Sequence, residues 1–281
     1  VMSATPIPRT LALIIYGDLE VSVIDELPPG RTPVETYVVG EDKRQRIYRF
    51  VRKLVGQGRQ AYLVCPAVEE GEESPGEPGG EGLKAAVPYA EHLKSEVFPD
   101  LRVGLVHGKM KARDKDAAMT AFAAGELDVL VSTTVIEVGV DVPNAALMVV
   151  ENADRFGLSQ LHQLRGRVGR GKHQSYCVLM TSTHSAESRE RLRVLAKTAD
   201  GFRIAEEDLK LRGPGDFFGQ RQHGLPQLGI ADLAADMRVL KEAQQAAQKL
   251  LEADPGLSRR EHAPLLGRVR RLFAQHGDMF N

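Results

Sequence analysis

Six short runs of apolar and β-branched residues, separated by helical patterns, constrain the fold of this chain more than any other feature. Strands that are apolar along their whole length are buried on both faces, so their alternation with helices predicts a parallel sheet covered by helices on both sides. We therefore expect an α/β lobe over residues 35–182. The predicted strands cover residues 34–39, 61–65, 101–106, 128–132, 146–150 and 176–180. Apolar spacing predicts helices over residues 42–56 and 111–124.

The pattern changes after residue 182. A charged helix is predicted over residues 184–199, and residues 200–229 are rich in Gly, Arg and Phe without a strand signal. An amphipathic helix is predicted over 231–253, and a last helix reaches Phe273. This part of the chain is expected to be a helical extension packed on the lobe.

Charge is distributed unevenly along the 281 residues, although the formal net charge is only −1. Between Arg155 and Arg221 there are 13 Lys and Arg residues against 7 Asp and Glu residues. Between Glu69 and Glu81 there are 6 Glu residues and no basic residue. The near-neutral total therefore does not exclude a nucleic-acid partner. The acidic residues 69–82 predict a solvated loop, with a specific acidic docking site as the alternative.

Other features of the sequence favour an intracellular protein. No window approaches about 18 consecutive apolar residues, so no membrane span is predicted. The chain does not begin with Met or with a signal-peptide pattern, and it reads like the middle of a longer chain. Cys65 and Cys177 lie in apolar runs without metal-ligand spacing, and we expect them to be buried and reduced. The expected location is the cytoplasm.

A short glycine- and arginine-rich segment carries the strongest chemical signal. Residues 163–171 read Gln-Leu-Arg-Gly-Arg-Val-Gly-Arg-Gly, and the glycines predict a tight loop that holds three arginines after the end of a helix. The planar guanidinium group suits phosphate oxygens, and an arginine presented to a transferring phosphoryl group contributes about 10³- to 10⁵-fold in rate. The segment therefore predicts a phosphate site rather than a solvated basic loop.

A second segment follows the predicted strand 128–132. Residues 133–143 contain hydroxyl residues, Gly139 and Asp141, and the carboxyl end of a strand is where α/β sheets bind ligands. Hydroxyls and glycine backbone can approach a phosphate or sugar, and Asp141 can accept a hydrogen bond from a hydroxyl. A third, weaker signal is the tripeptide Ser3-Ala4-Thr5.

These three segments occur in the order seen in superfamily 2 nucleic-acid motors. The tripeptide resembles motif III of that superfamily, Cys65-Pro66 the motif IV region, residues 133–141 motif V and residues 163–170 motif VI. The chain resembles more closely the RecG family of ATP-dependent DNA helicases. The resemblance rests on residues 5–13, 16–19, 24–31, 106–110 and 208–216, and only the acidic insertion departs from it.

The resemblance implies a role for individual residues. Arg167 and Arg170 would reach the ATP phosphates across an interface between two RecA-like lobes, with Arg170 the better arginine-finger candidate. Gln163 would lie beside them, and Gly139 and Asp141 would border the nucleotide. Three residues would face the DNA backbone, and two would couple ATP state to lobe movement. The DNA-facing residues are Thr133, His107 and Gly108, and the coupling residues are Ser3 and Thr5.

The resemblance also implies three parts of the chain. Residues 1–34 would be the tail of a first motor lobe and a linker, 35–182 the second RecA-like lobe, and 183–281 a translocation motif with C-terminal helices. The translocation motif would contact DNA phosphates through four polar side chains, although a purely structural bracket remains an alternative. These side chains are Arg203, Arg212, Gln220 and Arg221.

The glycine-rich loop and acidic pair that hold ATP and Mg²⁺ are absent from these 281 residues. Gly108-Lys109 is followed by Met and Gly171-Lys172 by His, so neither dipeptide completes a phosphate-binding loop. The resemblance thus implies a monomeric motor part that needs a first lobe and an N-terminal wedge domain to remodel branched and duplex DNA, and that hydrolyses no ATP alone. Two alternatives remain, a translocase of the transcription-repair coupling type and a non-catalytic DNA- or partner-binding module.

Overall fold

The structure is a computed structural model that describes residues 32–68, 84–133, 141–183, 185–201, 203–205, 207–208 and 237–275. The described residues through Glu207 belong to one compact unit, and those from Asp208 onward belong to a second. The two units are described separately. The predicted three-part division of the chain remains a prediction.

The first unit contains a six-stranded sheet in which every strand pair is parallel. The sheet order is β1-β6-β5-β2-β4-β3. The predicted parallel α/β architecture is confirmed, and each strand lies within two residues of its predicted bounds. The strands are β1 (Glu35–Val39), β2 (Gln60–Val64), β3 (Val103–Val106), β4 (Val129–Ser132), β5 (Ala145–Val150) and β6 (Tyr176–Met180).

Five α-helices whose bounds are described connect or follow these strands in the first unit. They are α1 (Arg44–Gly56), α2 (Ala86–His92), α3 (Ala112–Ala123), α4 (Leu158–Arg165) and α5 (Ala186–Lys197). The sequence patterns predicted α1, α3 and α5 but missed α2, which continues into a π-helical turn over Leu93–Val97. Pro88 is the third residue of α2, where a helix tolerates proline because the first backbone N–H groups have no partner within the helix.

The core of the lobe lies on both faces of the sheet. On one face, α1 and α2 pack against alternate strand residues, with Val51, Ala90 and Leu63 almost without exposed surface. On the other face the ring of Tyr62 packs against Phe122 of α3 with 4.8 Å between ring centroids, and the central strands β2, β4 and β5 are buried along their whole length. Burial on both sides explains why β2 and β5 are apolar along nearly their whole length.

The second unit contains two helices in its described part, α6 (Met237–Ala253) and α7 (Ala263–Gln275). Asp254 organises the turn between them by accepting hydrogen bonds from the backbone N–H groups of Ser258 and Arg259 and pairing with Nδ1 of His262 at 2.7 Å. These contacts, led by that with the Arg259 backbone, hold the pKa of Asp254 well below its usual range. Residues 231–236 of the predicted long helix lie outside the described residues.

Candidate functional site

Helix α4 carries the arginine-rich segment. Leu158, Leu161 and Leu164 are buried on one side of the helix, and the Gln160 side chain accepts a hydrogen bond from the Gly157 backbone N–H at the helix start. The helix ends at Arg165. The following residues 166–174, which we name the arginine loop, lead into β6.

Arg165 is directed away from the other two arginines, which corrects the expectation that all three are held together in one loop. It is the last residue of α4, four residues after Leu161, and only 6% of its surface is exposed. Its Nη1 atom donates to the carbonyl oxygens of Leu195 and Thr198, at 2.6 and 2.9 Å. Arg165 therefore caps the carboxyl end of α5, where a cation is favourable.

Arg167 and Arg170 lie in the arginine loop itself. The Nε atom of Arg170 donates to the Gly166 carbonyl at 3.0 Å, and its Nη1 atom lies 3.4 Å from Oδ1 of Asp141. Arg170 is exposed and Arg167 is half-buried. The structure thus brings Arg170 and Asp141 together, as two members of one predicted phosphate and nucleotide site.

The charged groups that act on the Tyr62 hydroxyl show that Arg167 lies close to Arg170 and Asp141. Burial raises the pKa of Tyr62 to about 12, while the positive charges of Arg167 and Arg170 act in the opposite direction and Asp141 adds to the rise. All three charged groups are therefore close enough to act on one hydroxyl. Gln163, which is half-buried on α4, lies one helical turn before Arg167.

The three predicted DNA-facing residues of the lobe follow two neighbouring strands. Strands β3 and β4 pair so that Val106 stands opposite Ser132, and the Thr133 backbone N–H donates to the Val106 carbonyl at 3.3 Å. His107, Gly108 and Thr133 therefore lie at the same carboxyl edge of the sheet. Gly108 is exposed, whereas Thr133 is 6% exposed.

Asp141 and Thr133 lie near opposite edges of the sheet, although both belong to the one sequence segment that predicted a ligand site. Thr133 follows the carboxyl end of β4, and Asp141 lies four residues before the amino end of the parallel strand β5. The predicted nucleotide residues and the predicted DNA residues therefore form two groups, which sequence reasoning did not separate.

Arg203 is exposed and lies beside Asp200, with 3.9 Å between Nε and Oδ2. It belongs to the first compact unit. The other predicted site residues lie outside the described residues, and their assignments remain predictions. They are Ser3, Thr5, Gly139, Arg212, Gln220 and Arg221.

A buried charge network at the carboxyl end of β5 was missed by sequence reasoning. Glu151 is 1% exposed, and both of its carboxylate oxygens bind the Arg44 guanidinium, at 2.8 and 2.7 Å. Tyr89 of α2 donates to the same carboxylate at 2.8 Å, and its hydroxyl contacts that of Tyr48. The network ties α1 and α2 to β5. The signal in the sequence was a glutamate directly after an uninterrupted apolar strand.

His162 lies on α4 next to Gln163. Burial lowers its pKa to about 4, the nearby Arg165 charge acts in the same direction, and a hydrogen bond with the Ala199 backbone opposes them. Its Nδ1 atom is buried without a hydrogen-bond partner. His162 is therefore neutral at pH 7, and it links α4 to the residues that follow α5.

Cys65 and Cys177 are both buried and free, as expected. Within the described ranges, no group of three His, Cys, Asp or Glu side chains is arranged to hold a metal ion. The same residues include no helix that is long and apolar enough to cross a bilayer.

Comparison with known proteins agrees with the arrangement of these elements. Residues 42–172 match the helicase conserved C-terminal domain, and residues 198–276 match the C-terminal part of domain 3 of the ATP-dependent DNA helicase RecG. A solved structure of RecG bound to a three-way DNA junction is similar, with a TM-score of 0.65 and 50% identity over 86% of this chain and 30% of that chain. The chain is RecG-like.

The RecG-like chain also resembles curated RecG helicases along most of its length. It is 54% identical to the protein of Synechocystis over 91% of this chain, and 49% identical to that of Bacillus subtilis over 94%. The relative from Thermotoga maritima is 52% identical over 89% of the chain. The RecG-like chain spans 30%, 38% and 31% of the length of these three relatives, so it corresponds to about a third of each.

Proposed function

We propose that this chain is the second motor lobe and translocation region of a RecG-type helicase. In the complete protein, ATP is hydrolysed between two lobes, and branched DNA such as a stalled fork or Holliday junction is drawn past a wedge domain in the bacterial cytoplasm. The observation that carries the proposal is the arginine loop, with Arg170 exposed and paired with Asp141, in a chain that is RecG-like over most of its length.

The chain's own residues fit one side of an ATP site. Arg167 and Arg170 supply two guanidinium groups for phosphate oxygens, and Asp141 supplies a carboxylate that can accept a hydrogen bond from a sugar hydroxyl. ATP, when bound, supplies the phosphoryl group whose transfer drives movement. The lobe that would hold Mg²⁺ through an acidic pair is proposed to lie in the preceding part of the complete protein, because these 281 residues contain no Gly-Lys-Ser or Gly-Lys-Thr loop.

The DNA would contact a different part of the lobe. His107, Gly108 and Thr133 lie together at the carboxyl edge of β3 and β4, on adjacent strands. The hydroxyl of Thr133 and the exposed backbone at Gly108 would donate to phosphate oxygens there. Arg203 and the predicted residues Arg212, Gln220 and Arg221 would add phosphate contacts from the translocation region.

The test compares this chain with the complete protein. Steady-state ATP hydrolysis is measured with three-way junction, duplex and single-stranded DNA. We expect no turnover above background from the 281-residue chain and strong stimulation of the complete protein by the junction. Robust DNA-stimulated turnover by the chain alone would contradict the proposal.

The same proteins distinguish the alternatives. A gel-shift titration of the isolated chain against the three DNAs measures affinity without hydrolysis, and tight binding by the chain combined with an inactive complete protein would favour a binding module. A complete protein that translocates on duplex DNA but fails to remodel junctions would favour a translocase of the transcription-repair coupling type.

A further inference from the structure

Residues 32–34, which we name the lead-in segment, run beside the arginine loop. Strand β1 pairs in parallel with β6, so that Glu35 stands opposite Tyr176, and the Glu35 N–H donates to the Ser175 carbonyl at 3.0 Å. Just before these strands, Nε2 of Gln174 donates to the Pro33 carbonyl at 2.9 Å. The lead-in segment is therefore hydrogen-bonded directly to the loop that carries the predicted arginine finger.

Gly169 allows the lead-in segment to lie close to the arginine loop. Its φ is +76°, a conformation that side chains rarely adopt, and a Cβ atom there would lie 2.5 Å from Cγ2 of Val34 and 3.6 Å from the Thr32 carbonyl oxygen. Any side chain at this position must displace either the loop or Val34. Gly169 directly precedes Arg170, so such a displacement would reach the guanidinium.

The opposite side of the arginine loop is also closely packed. A Cβ atom at Gly171 would lie 2.3 Å from the Pro143 carbonyl oxygen, and Asp141, two residues earlier, pairs with Arg170. The loop is thus held between the lead-in segment and the segment that enters β5. Since packed interiors transmit displacement rather than absorb it, a shift of one side moves the loop.

We propose that the lead-in segment is a positioning element for Arg170, acting through Gly169 and Gln174. The inference rests on the proposed function, in which the residues before Thr32 join this lobe to the first motor lobe. A change in the relative position of the two lobes would then move the short lead-in segment, and the segment would move Arg170 with it. Misplacement of a reacting group by about 1 Å can cost about 10²-fold in rate, so a small movement is sufficient.

The first test is Gly169→Ala in the complete protein, with Gly125→Ala as its matched control. Both glycines have nearly the same φ, +76° and +77°, but a Cβ atom at Gly125 meets nothing within 4 Å. We expect Gly169→Ala to lower the kcat of DNA-stimulated ATP hydrolysis by about 10- to 100-fold and to change the KM for ATP by less than about 3-fold. Gly125→Ala should retain the kcat of the unmodified protein.

A second substitution separates positioning from folding. Val34→Ala removes the atom that the methyl group introduced by Gly169→Ala would meet, so the double variant should recover about 5-fold or more of the lost kcat. Gln174→Ala removes only the hydrogen bonds of one side chain, and we expect it to lower kcat by about 3- to 10-fold without a change in KM. This variant tests the proposal even if Gly169→Ala does not fold. Unchanged kcat in both loop variants would overturn the proposal, as would a loss that Val34→Ala does not relieve.

Amide hydrogen exchange provides a readout that does not depend on ATP hydrolysis. In Gly169→Ala and Gln174→Ala, amides of residues 166–174 should exchange faster while those of β2 and β5 keep their protection. Faster exchange together with normal ATP hydrolysis by an Arg170→Ala variant would refute the arginine-finger role within the proposed function but leave the contact between the lead-in segment and the loop intact. Unaltered exchange in the arginine loop would refute the positioning role of the lead-in segment, and this result would not depend on whether the proposed function is correct.

Discussion

The Nη1 atom of Arg170 lies 3.4 Å from Oδ1 of Asp141, so the arginine loop and the segment that enters β5 meet through one ion pair. Both side chains are substantially exposed, at 32% and 57%. Exposed pairs of this kind contribute little to stability, about 0–1 kcal/mol. The pair therefore contributes little to folding, and the proposed function gives it a role in the nucleotide site.

Asp141→Ala should affect nucleotide binding much more than stability. We expect the free energy of unfolding to change by less than about 1 kcal/mol, because the carboxylate is exposed. In the complete protein the KM for ATP should rise, and the preference for ATP over 2′,3′-dideoxy-ATP should disappear, because the acceptor for a ribose hydroxyl is gone. Asp42→Ala, another exposed carboxylate, is the control. Retained discrimination between the two nucleotides would exclude Asp141 from the nucleotide site.

Arg165→Ala should destabilise the lobe by about 2–4 kcal/mol, because it leaves one buried and one partly buried carbonyl oxygen without a donor and removes a buried side chain. Urea unfolding of the 281-residue chain measures the difference. Arg193→Ala is the control, since Arg193 is 59% exposed and pairs with Glu190 on the surface of α5. Equal effects of the two substitutions would show that the cap on α5 is unimportant.

Glu151→Ala should cost about 3–5 kcal/mol, because it leaves the Arg44 charge without its buried partner. Arg44→Ala should cost a similar amount, and the double variant should lose less than the sum of the single losses by at least about 1 kcal/mol. Glu41→Ala removes the exposed partner of the same guanidinium and should cost under about 1 kcal/mol. Strict additivity of the first two substitutions would contradict the network.

His162 makes the stability of the lobe sensitive to mild acid. Its pKa is about 4 in the folded protein, below the ordinary value of 6.5, so folding favours the neutral ring. The stabilisation is present above pH 6.5 and is lost as the pH falls toward 4. With allowance for partial exposure, this loss is at most about 2 kcal/mol. Urea unfolding between about pH 7 and pH 4 should show it, and His162→Gln should make the profile flatter over that interval. If His162→Gln leaves the pH dependence of the free energy of unfolding unaltered, His162 is not the cause of the loss of stability.

The sheet could be predicted from the sequence because its strands are buried on both faces. The runs that became β2 and β5 are apolar along nearly all of their length, and such runs allow few other structures. Helix α2 was missed because it is short, follows the acidic residues 69–82 and contains Pro88. In local sequence these are signals for a loop, and only packing of Tyr89 and Ala90 against the sheet makes the segment a helix.

The candidate site could be predicted in its residues but only partly in its arrangement. The spacing in residues 163–171 predicted a phosphate-binding role for Arg167 and Arg170, which stays a prediction, and it also suggested Arg165, which instead contacts the carboxyl end of α5. The apolar period of Leu161 and Leu164 would have placed Arg165 on the buried side of α4. The separation of Asp141 from Thr133 follows from the parallel pairing of β4 and β5 with β2, because the end of one parallel strand and the start of the next lie at opposite edges of the sheet.

DNA-stimulated ATP hydrolysis by the complete protein carrying Arg170→Ala tests the central proposal most directly. The account predicts that kcat falls by at least about 10³-fold, while the affinity for ATP stays within about 3-fold, because the guanidinium acts on charge that develops during phosphoryl transfer. Arg170→Lys should fail nearly as severely, since an ammonium group lacks the planar fork. Arg193→Ala should keep full activity. A kcat near that of the unmodified protein in Arg170→Ala would contradict the assignment of the arginine finger.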